Sequence, residues 1–177
     1  NKLMRALTCP GCKAPLTRAA EGVLCPACAA AYPFQNGALH FTRSGDQSTR
    51  RYETETRRFV NRLKTFVKKR PALFVFLTHA IGSVSFLGER PGHTMRKLYG
   101  DKTQEKLIVN VGAGITNVHP TVLNLDIFPF KNVDIVADAA ALPFADNSVD
   151  MLISESTIEH TREAERAITE MRRVVKP

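Results

Sequence analysis

Four cysteines near the start of the chain have the type and spacing of a metal site. They form two Cys-x-x-Cys pairs, Cys9/Cys12 and Cys25/Cys28, separated by twelve residues, and the sequence has no other cysteine. Each pair on a tight turn directs two thiolates at one centre, and two such turns supply the tetrahedral four-sulfur shell that zinc prefers. The alternatives are two disulfides, which a reducing compartment disfavours, or a redox pair, which would be single and lie in a βαβ unit. The spacing therefore predicts a structural zinc site.

A second set of candidate residues lies in the C-terminal part of the chain, at the ends of apolar runs. Four runs have the composition of β-strands, at 107–111, 122–126, 133–137 and 149–154. They end in, or lead directly into, Gly112, Gly114, Asp126, Asp138 and Ser154. In an open parallel sheet, ligands bind beyond the carboxyl ends of the strands, and glycine lets the backbone approach a ligand closely. We therefore expect these residues to converge on one cleft of an α/β fold.

Between these two sets the chain carries most of its positive charge. The formal net charge is +8, to which residues 1–42 contribute +3, residues 43–106 contribute +9 and residues 107–177 contribute −4. The middle segment is either a solvated basic helix or a surface that meets an anionic partner, such as RNA or membrane lipid. We do not expect a reader of DNA sequence.

The apolar pattern of this middle segment indicates a helical connector. Apolar residues recur at helical spacing from 52 to 69, and Pro71 interrupts the helix. Residues 71–88 then form an uncharged run, for which packing on the C-terminal domain is favoured over an interfacial helix and over a membrane span, because polar residues and glycine lower its apolarity. Residues 89–106 are charged and turn-rich, and we expect them to end the connector.

The cysteine module continues into a predicted hairpin, because the turn residues Asn36-Gly37 stand between short apolar runs. Together with the two Cys-Pro-x-Cys pairs and Tyr32-Pro33-Phe34, this turn resembles the small zinc-ribbon family that accompanies methyltransferases of translation components. The resemblance covers about residues 5–42 and implies a structural or partner-docking module. A module this small needs the metal in order to fold.

The C-terminal part of the chain resembles a second family, from about residue 107 to residue 177. The motifs are Val111-Gly-Ala-Gly114, Asp126, the string Asp138-Ala-Ala-Ala-Leu-Pro-Phe-Ala-Asp-Asn-Ser-Val-Asp150, and Glu159-His160. They are similar to those of class I S-adenosylmethionine-dependent methyltransferases related to the enzymes of ubiquinone biosynthesis. The resemblance implies a Rossmann-like α/β sheet that continues for about three strands beyond Pro177. Because the first residue is Asn and not Met, and because this sheet would continue past Pro177, we expect both ends of this sequence to be cut from a longer chain.

The predicted organisation is a zinc ribbon at 1–42, a basic helical connector at 43–106 and the N-terminal half of a methyltransferase domain at 107–177. The second resemblance implies S-adenosylmethionine as cofactor. The cofactor-binding residues that it implies are Asn110, Gly112, Gly114, Asp126, Asp138, Ala139, Leu142 and Ser154. Asp126 would accept hydrogen bonds from the ribose hydroxyls, Asp138 and Ala139 would meet the adenine, and Leu142 would pack beside it. Turn-forming roles for the two acids and a core role for Leu142 are the alternatives.

The chain departs from the second family in three respects. Asn110 stands where the family has an acid and Thr116 where it has a third glycine, so we expect a weaker contact with the cofactor's ammonium group and a looser loop. Eleven residues separate Gly114 from Asp126, with His119-Pro120 among them, which predicts a connection too short for a full crossover helix. This short connection also argues against a nicotinamide dinucleotide site, which needs G-x-G-x-x-G and a full helix.

Methyl transfer requires chiefly that the acceptor be aligned with the methyl carbon. If the acceptor is a hydroxyl, a base near the end of the fourth predicted strand takes its proton. Glu155 and His160 are the catalytic candidates, with Glu159 as a third titratable neighbour. We expect a helix from about Thr161 to Val174 to follow.

The favoured function is methylation of a small-molecule, saccharide or lipid-linked acceptor. One alternative is an RNA methyltransferase that uses the ribbon and the basic connector to bind phosphates. Another is a non-catalytic scaffold whose ribbon docks a partner. No signal-peptide pattern precedes the cysteines, so we expect a cytoplasmic location, with peripheral association with the membrane left open.

Overall fold

The structure is a computed structural model that describes residues 2–42 and 91–177. Asn1–Arg43 and Met95–Pro177 form one compact unit, and Ser44–Thr94 form a second, of which residues 91–94 are described. The predicted helix at 52–69 and the apolar run at 71–88 lie outside the described residues. Among the described helices, none combines the length and the apolar character needed to cross a bilayer.

The cysteine module folds as a short helix and an antiparallel meander. Its elements are α1 (Lys2–Ala6), β1 (Thr17–Ala19), β2 (Gly22–Leu24), β3 (Ala31–Gln35) and β4 (Ala38–His40). The predicted hairpin is confirmed, because β3 pairs antiparallel with β4. Asn36 and Gly37 have φ values of 51° and 86°, and positive φ at both central residues is the type I′ turn that suits the twist of a two-residue hairpin.

The C-terminal part forms four parallel strands, which are shorter than the apolar runs that predict them. They are β5 (Ile108–Val111), β6 (Leu123–Asp126), β7 (Ile135–Val136) and β8 (Met151–Ile153). Their spatial order is β7-β6-β5-β8, which is the order of the first four strands of a doubly wound nucleotide-binding sheet. The predicted α/β class is therefore confirmed.

The two sets of strands join into a single sheet. Within the described residues its order is β1-β2-β3-β4-β7-β6-β5-β8, and β4 runs parallel to β7. Leu39 pairs with Ile135 and His40 with Val136, and the amide of Phe41 donates to the carbonyl of Val136 at 2.8 Å. The last strand of the cysteine module thus continues the parallel sheet.

Each face of the parallel strands is covered by different elements. On one face, Val109 and Leu125 share a core with Leu7, Phe144 and Val174, and this core draws on the N-terminal module as well as on the C-terminal helix. On the other face, the buried cluster contains Met95, Ile108, Val122 and Ile153, with Tyr99 packed against it. The core therefore lies on both sides of the sheet.

The helices differ from two expectations. A helix, α2 (Pro91–Tyr99), occupies the segment expected to be turn-rich, because proline is well suited to a first helical turn and Met95 and Tyr99, four residues apart, pack on the sheet. The last helix, α3 (Ala164–Val174), starts three residues later than predicted, since Thr161 ends a 3-10 turn over Ile158–His160.

The connections between the parallel strands are short. Residues 112–122, between β5 and β6, are all described and contain no helix, as their number and the His119-Pro120 pair predict. The connection from β7 to β8 contains one 3-10 turn, Ala139–Ala141, within its described residues. The position of these segments therefore depends on hydrogen bonds rather than on a packed crossover helix.

Asp150 joins the chain termini of this unit to the start of β5. Its carboxylate accepts hydrogen bonds from Lys2 at 2.9 Å, from Lys176 at 2.8 Å and from the amide of Leu107 at 2.7 Å. Burial raises the pKa of Asp150, but the hydrogen bonds from Lys176, Leu107 and Lys2 outweigh burial and hold the pKa well below its usual range. The ionised form of Asp150 therefore stabilises the fold.

We expect Asp150→Asn to lower the free energy of unfolding at pH 7 by about 2 kcal/mol, because it removes a charge that three donors stabilise. A lowered pKa contributes stability above the unfolded value of about 3.9 and loses it on acidification. The difference between wild type and variant should therefore shrink as the pH falls from about 5 to about 3, which urea unfolding at several pH values measures. Asp101→Asn, at an exposed position, is the control, and an equal loss in both variants would contradict the assignment.

Candidate functional site: a thiolate cluster and the carboxyl edge of the sheet

The four cysteines lie close enough to share one metal ion. Their sulfur atoms all lie within 4.8 Å of one another; Cys9 Sγ is 3.7 Å from Cys28 Sγ, and Cys12 Sγ is 3.4 Å from Cys25 Sγ. Four thiolates about 2.3 Å from a tetrahedral zinc ion are about 3.8 Å apart, whereas a disulfide needs about 2.05 Å. All four residues are in the described part and all four thiols are free. The donor set and its spacing fit a four-sulfur zinc site.

The two Cys-x-x-Cys turns share one backbone geometry. The amide of each first cysteine donates to the carbonyl five residues later, at 2.9 Å for Cys9 and 2.8 Å for Cys25. The residue after each second cysteine has a positive φ, 60° at Lys13 and 57° at Ala29. A side chain in this region costs about 1–2 kcal/mol, so the surrounding contacts hold both turns in the geometry that brings the thiolates together.

Tyr32 supports Cys9 from inside the module. Its hydroxyl lies 3.0 Å from Cys9 Sγ. Burial raises the pKa of the Cys9 thiol, but hydrogen bonds from Tyr32 and from the amides of Cys12 and Gly11 lower it to about 6. Burial and the hydrogen bond to Cys9 raise the pKa of Tyr32, so its hydroxyl stays protonated and donates. Tyr32 thus favours the thiolate form, which is the form that binds metal.

At the carboxyl edge of the sheet, the glycine loop after β5 is tied to the acid that ends β6. The amide of Gly114 donates to Asp126 Oδ2 at 2.8 Å, and the amide of Phe128 donates to Oδ1 at 2.9 Å. Gly112 and Gly114 have φ values of 75° and 55°, which glycine adopts without strain. Asp126 is buried, yet each carboxylate oxygen can accept a second hydrogen bond. The structure therefore brings the two glycines and the acid together.

The loops after β5 and β8 meet where the strand order reverses, which is where doubly wound sheets bind ligands. Thr157 Oγ1 donates to the carbonyl of Val111 at 3.2 Å, and a Cβ on Gly112 would collide with the Thr157 side chain. Ser154 directly follows β8, and its hydroxyl oxygen is buried with no hydrogen-bond partner among the described residues. Such a hydroxyl costs about 1–3 kcal/mol, so its position fits a ligand that supplies the missing hydrogen bond.

Asp138 starts the connection from β7 to β8. Its Oδ1 accepts a hydrogen bond from the amide of Ala140 at 2.9 Å and so caps the 3-10 turn. Ala139 is half-buried, whereas Leu142 is completely buried in the core. Asp138 therefore forms a turn and Leu142 lies in the core, which are the alternative roles that the sequence left open for them. The roles of these three residues toward the adenine stay predictions.

Asn110 is buried in a chain of asparagines beneath the glycine loop. Its Nδ2 donates to Asn124 Oδ1 at 3.4 Å, and Asn124 Nδ2 donates to Asn117 Oδ1 at 2.7 Å. In the loop itself, the amide and the hydroxyl of Thr116 both donate to the carbonyl of Ala113. The side chain of Thr116 thus adds a hydrogen bond that glycine would lack, and the expected looser loop stays a prediction.

Glu155 and His160 lie in the loop that follows β8, and both are exposed. Ser156, between them, has a φ of 51°, and the carbonyl of Glu155, 3.1 Å from Thr157 Oγ1, is a second acceptor within reach of the single hydroxyl proton of Thr157. The two catalytic candidates thus share a loop with the threonine that contacts the glycine loop. Their role as bases stays a prediction.

Thr157 and Asn124 are site residues that no sequence motif indicates. Asn124 leaves one signal, a polar side chain inside an apolar strand, which predicts a buried hydrogen-bond partner. Thr157 leaves none, because a threonine shortly after a strand occurs in many settings. Tyr32 is visible in the sequence as part of the ribbon motif, but its contact with Cys9 depends on the fold.

Comparison with known proteins bears on the C-terminal part of the chain. Residues 106–177 match the model of a family described as a methyltransferase domain. This segment is 72 of the 177 residues and contains all four parallel strands, the glycine loop and the loop with Glu155 and His160. The match supports methyl transfer as the reaction class, with S-adenosylmethionine as the donor that the family implies. A search of curated proteins gives no match to this sequence.

We expect the protein to bind one Zn²⁺ per chain, and we expect Tyr32→Phe to weaken zinc affinity about tenfold while leaving the stoichiometry unchanged. The variant removes the hydrogen bond to the Cys9 thiolate, and partners of metal ligands typically contribute this much. Competition with a chromophoric chelator measures the affinity. Tyr99→Phe, whose hydroxyl donates to the carbonyl of Asp150 instead, is the matched control, and equal zinc affinity in both variants would contradict the assignment.

Proposed function

We propose that the chain carries an S-adenosylmethionine-dependent methyltransferase whose zinc ribbon is structural and whose acceptor is a small-molecule, saccharide or lipid-linked hydroxyl. The observation that carries this proposal is the glycine loop bound to Asp126 at the point where the strand order reverses, within the segment that matches a methyltransferase domain. We further propose a relation to the methyltransferases of ubiquinone biosynthesis, on the strength of the string from Asp138 to Asp150.

The proposed cofactor site uses groups that are already held in place. Asp126 has one hydrogen bond on each oxygen, from Gly114 and from Phe128, so its remaining lone pairs would accept the two hydroxyls of a ribose. Gly114 would give the cofactor access to backbone that a side chain would cover, since no described atom beyond its immediate chain neighbours lies within 4 Å of the position its Cβ would take, and the Ser154 hydroxyl would gain a partner. The cofactor supplies an electrophilic methyl group and a good leaving group.

The proposed role of the loop after β8 is to deprotonate the acceptor. Glu155 and His160 are exposed, as groups that exchange protons with an incoming hydroxyl must be. Because the sulfonium needs no activation, the contribution of a base is limited to the proton of the acceptor. An acceptor nitrogen without a proton to lose would need neither residue.

Asn110 favours a second candidate function, a methyltransferase-like scaffold without catalysis. Its amide is hydrogen-bonded to Asn124, and it replaces the acid that would bind the ammonium group of the cofactor. In this second case the ribbon would dock a protein partner, and the glycine loop would be a structural remnant. RNA as acceptor is a further outcome, which the salt dependence of RNA binding by the full-length protein would reveal.

We expect the zinc-loaded, full-length protein to bind S-adenosylhomocysteine with a micromolar Kd in a calorimetric titration. Asp126→Asn should weaken this binding at least tenfold, because it removes the charge that accepts the ribose diol. Asp101→Asn, at an exposed position, is the matched control. No binding by the wild type would favour the scaffold, and equal binding by Asp126→Asn would remove Asp126 from the cofactor site.

Replacement of both Glu155 and His160 by Ala should lower kcat about 10²-fold or more for a hydroxyl acceptor, while the Kd for S-adenosylhomocysteine stays unchanged. Glu165→Ala on α3, at an exposed position, controls for a loss of surface charge. Methyl transfer to the acceptor, once it is found, is measured with labelled cofactor. Full activity in the double variant would refute the base assignment.

A further inference from the structure

The string Leu142-Pro143-Phe144 is held by hydrogen bonds from outside its own connection. Three consecutive carbonyls accept them: that of Leu142 from Arg173 Nη2 at 3.2 Å, that of Pro143 from the Thr8 amide at 3.0 Å, and that of Phe144 from Arg173 Nη1 at 2.7 Å. In the described structure this connection has one 3-10 turn and no crossover helix. These three hydrogen bonds therefore act together with the burial of Leu142 and Phe144 in the core to hold the string in place.

Arg173 is itself fixed by two acids. Its Nε and Nη2 donate to the two carboxylate oxygens of Glu170 at 2.7 and 2.8 Å, and its Nη1 donates to Asp146 at 2.7 Å. A planar guanidinium that binds a carboxylate through two parallel hydrogen bonds has a defined orientation. The guanidinium therefore presents its donors to the carbonyls of Leu142 and Phe144 in one arrangement.

Glu170 and Thr8 connect this arrangement to the thiolate cluster. Lys13 Nζ donates to Glu170 Oε2 at 2.9 Å, and Lys13 directly follows the candidate ligand Cys12. Thr8, which donates to Pro143, directly precedes the candidate ligand Cys9. Each of the two contacts thus starts one residue from a candidate metal ligand, and the two contacts involve opposite ends of the first Cys-x-x-Cys turn.

We propose that these contacts make the zinc ribbon part of the cofactor site. Lys13, Glu170 and Arg173 are positioning residues that set the location of residues 138–144, and cofactor affinity therefore depends on a metal-loaded ribbon. The proposal rests on the proposed function and on the predicted contact of Asp138, Ala139 and Leu142 with the adenine. The proposal goes beyond that function because it couples two binding equilibria. Zinc would tighten the binding of the cofactor, and the cofactor would tighten the binding of zinc by the same factor.

The positioning residues should contribute unequally to the affinity for S-adenosylhomocysteine. Lys13 is half-exposed in its ion pair, and such pairs contribute little, so we expect Lys13→Met to weaken S-adenosylhomocysteine binding by about twofold. Arg173→Lys keeps the charge but loses the planar guanidinium that donates to two carbonyls and to Glu170. We expect this variant to bind S-adenosylhomocysteine with an affinity lower by about tenfold or more. Arg172→Lys is the matched control, since Arg172 is the exposed neighbour on the same helix.

The experiment measures both ligands on each full-length protein. The Kd for S-adenosylhomocysteine is measured by calorimetry at full zinc loading, and the zinc affinity by chelator competition with and without saturating S-adenosylhomocysteine. In wild type and in Arg172→Lys we expect S-adenosylhomocysteine to tighten zinc binding about fivefold or more, a typical coupling between sites. In Arg173→Lys this factor should fall toward one. Thermal melting checks that the variant folds, and a purely structural role would lower the Tm without changing the factor.

The outcomes separate the two proposals. If the wild type does not bind S-adenosylhomocysteine at all, the proposed function fails and the inference fails with it. If S-adenosylhomocysteine binds but leaves zinc affinity unchanged, or if Arg173→Lys couples the two ligands as the wild type does, the inference alone is overturned. If Arg173→Lys does not fold, Lys13→Met decides, because a half-exposed lysine tolerates replacement. A Kd for S-adenosylhomocysteine about twofold higher, with a coupling factor below that of the wild type, supports the inference, and wild-type values of both overturn it.

Discussion

The parallel pairing of β4 with β7 is the contact on which the rest of the described structure depends. β7 consists of two residues, Ile135 and Val136, both completely buried, and a strand this short needs a partner on each side to satisfy its backbone groups. β6 supplies one partner and β4 the other. The cysteine module is therefore a continuation of the sheet, and the sheet has no open edge at β7.

The N-terminal residues also contact the connection that follows β7. With β4 beside β7, α1 and the first cysteine turn lie over the connection from β7 to β8, where Leu7 forms an isolated antiparallel bridge with Phe144. Both side chains are completely buried in one core. The amide of Ala145 donates to the carbonyl of Ala6 at 2.8 Å. Backbone hydrogen bonds and apolar packing therefore both hold the segment around Phe144 against the N-terminal residues.

Local patterns in the sequence predict the parts of this structure that depend on neighbouring residues. The cysteine spacing predicts the thiolate cluster, Asn36-Gly37 predicts the hairpin, and apolar runs predict the four parallel strands. The β4–β7 pairing was not predictable in this way, because it joins residues almost a hundred positions apart and both strands are short. The same holds for Arg173, whose role depends on two carbonyls, those of Leu142 and Phe144, that come from another segment. α2 was missed because its polar residues outnumber Met95 and Tyr99, the two that face the core.

The shared sheet has an energetic consequence that is independent of any ion pair. A four-cysteine site binds zinc with a free energy of about 10–16 kcal/mol, whereas a domain of this size is stable by about 5–15 kcal/mol in total. Because β4 belongs both to the module that bound zinc would stabilise and to the sheet that carries Asp126, unfolding of the ribbon would leave β7 without its outer partner. Asp126 pairs with Val136 across β6 and β7, so stabilisation by zinc would reach this carboxylate through two adjacent strand pairings, and loss of the metal should loosen the carboxyl edge at Asp126 before the β5–β8 side.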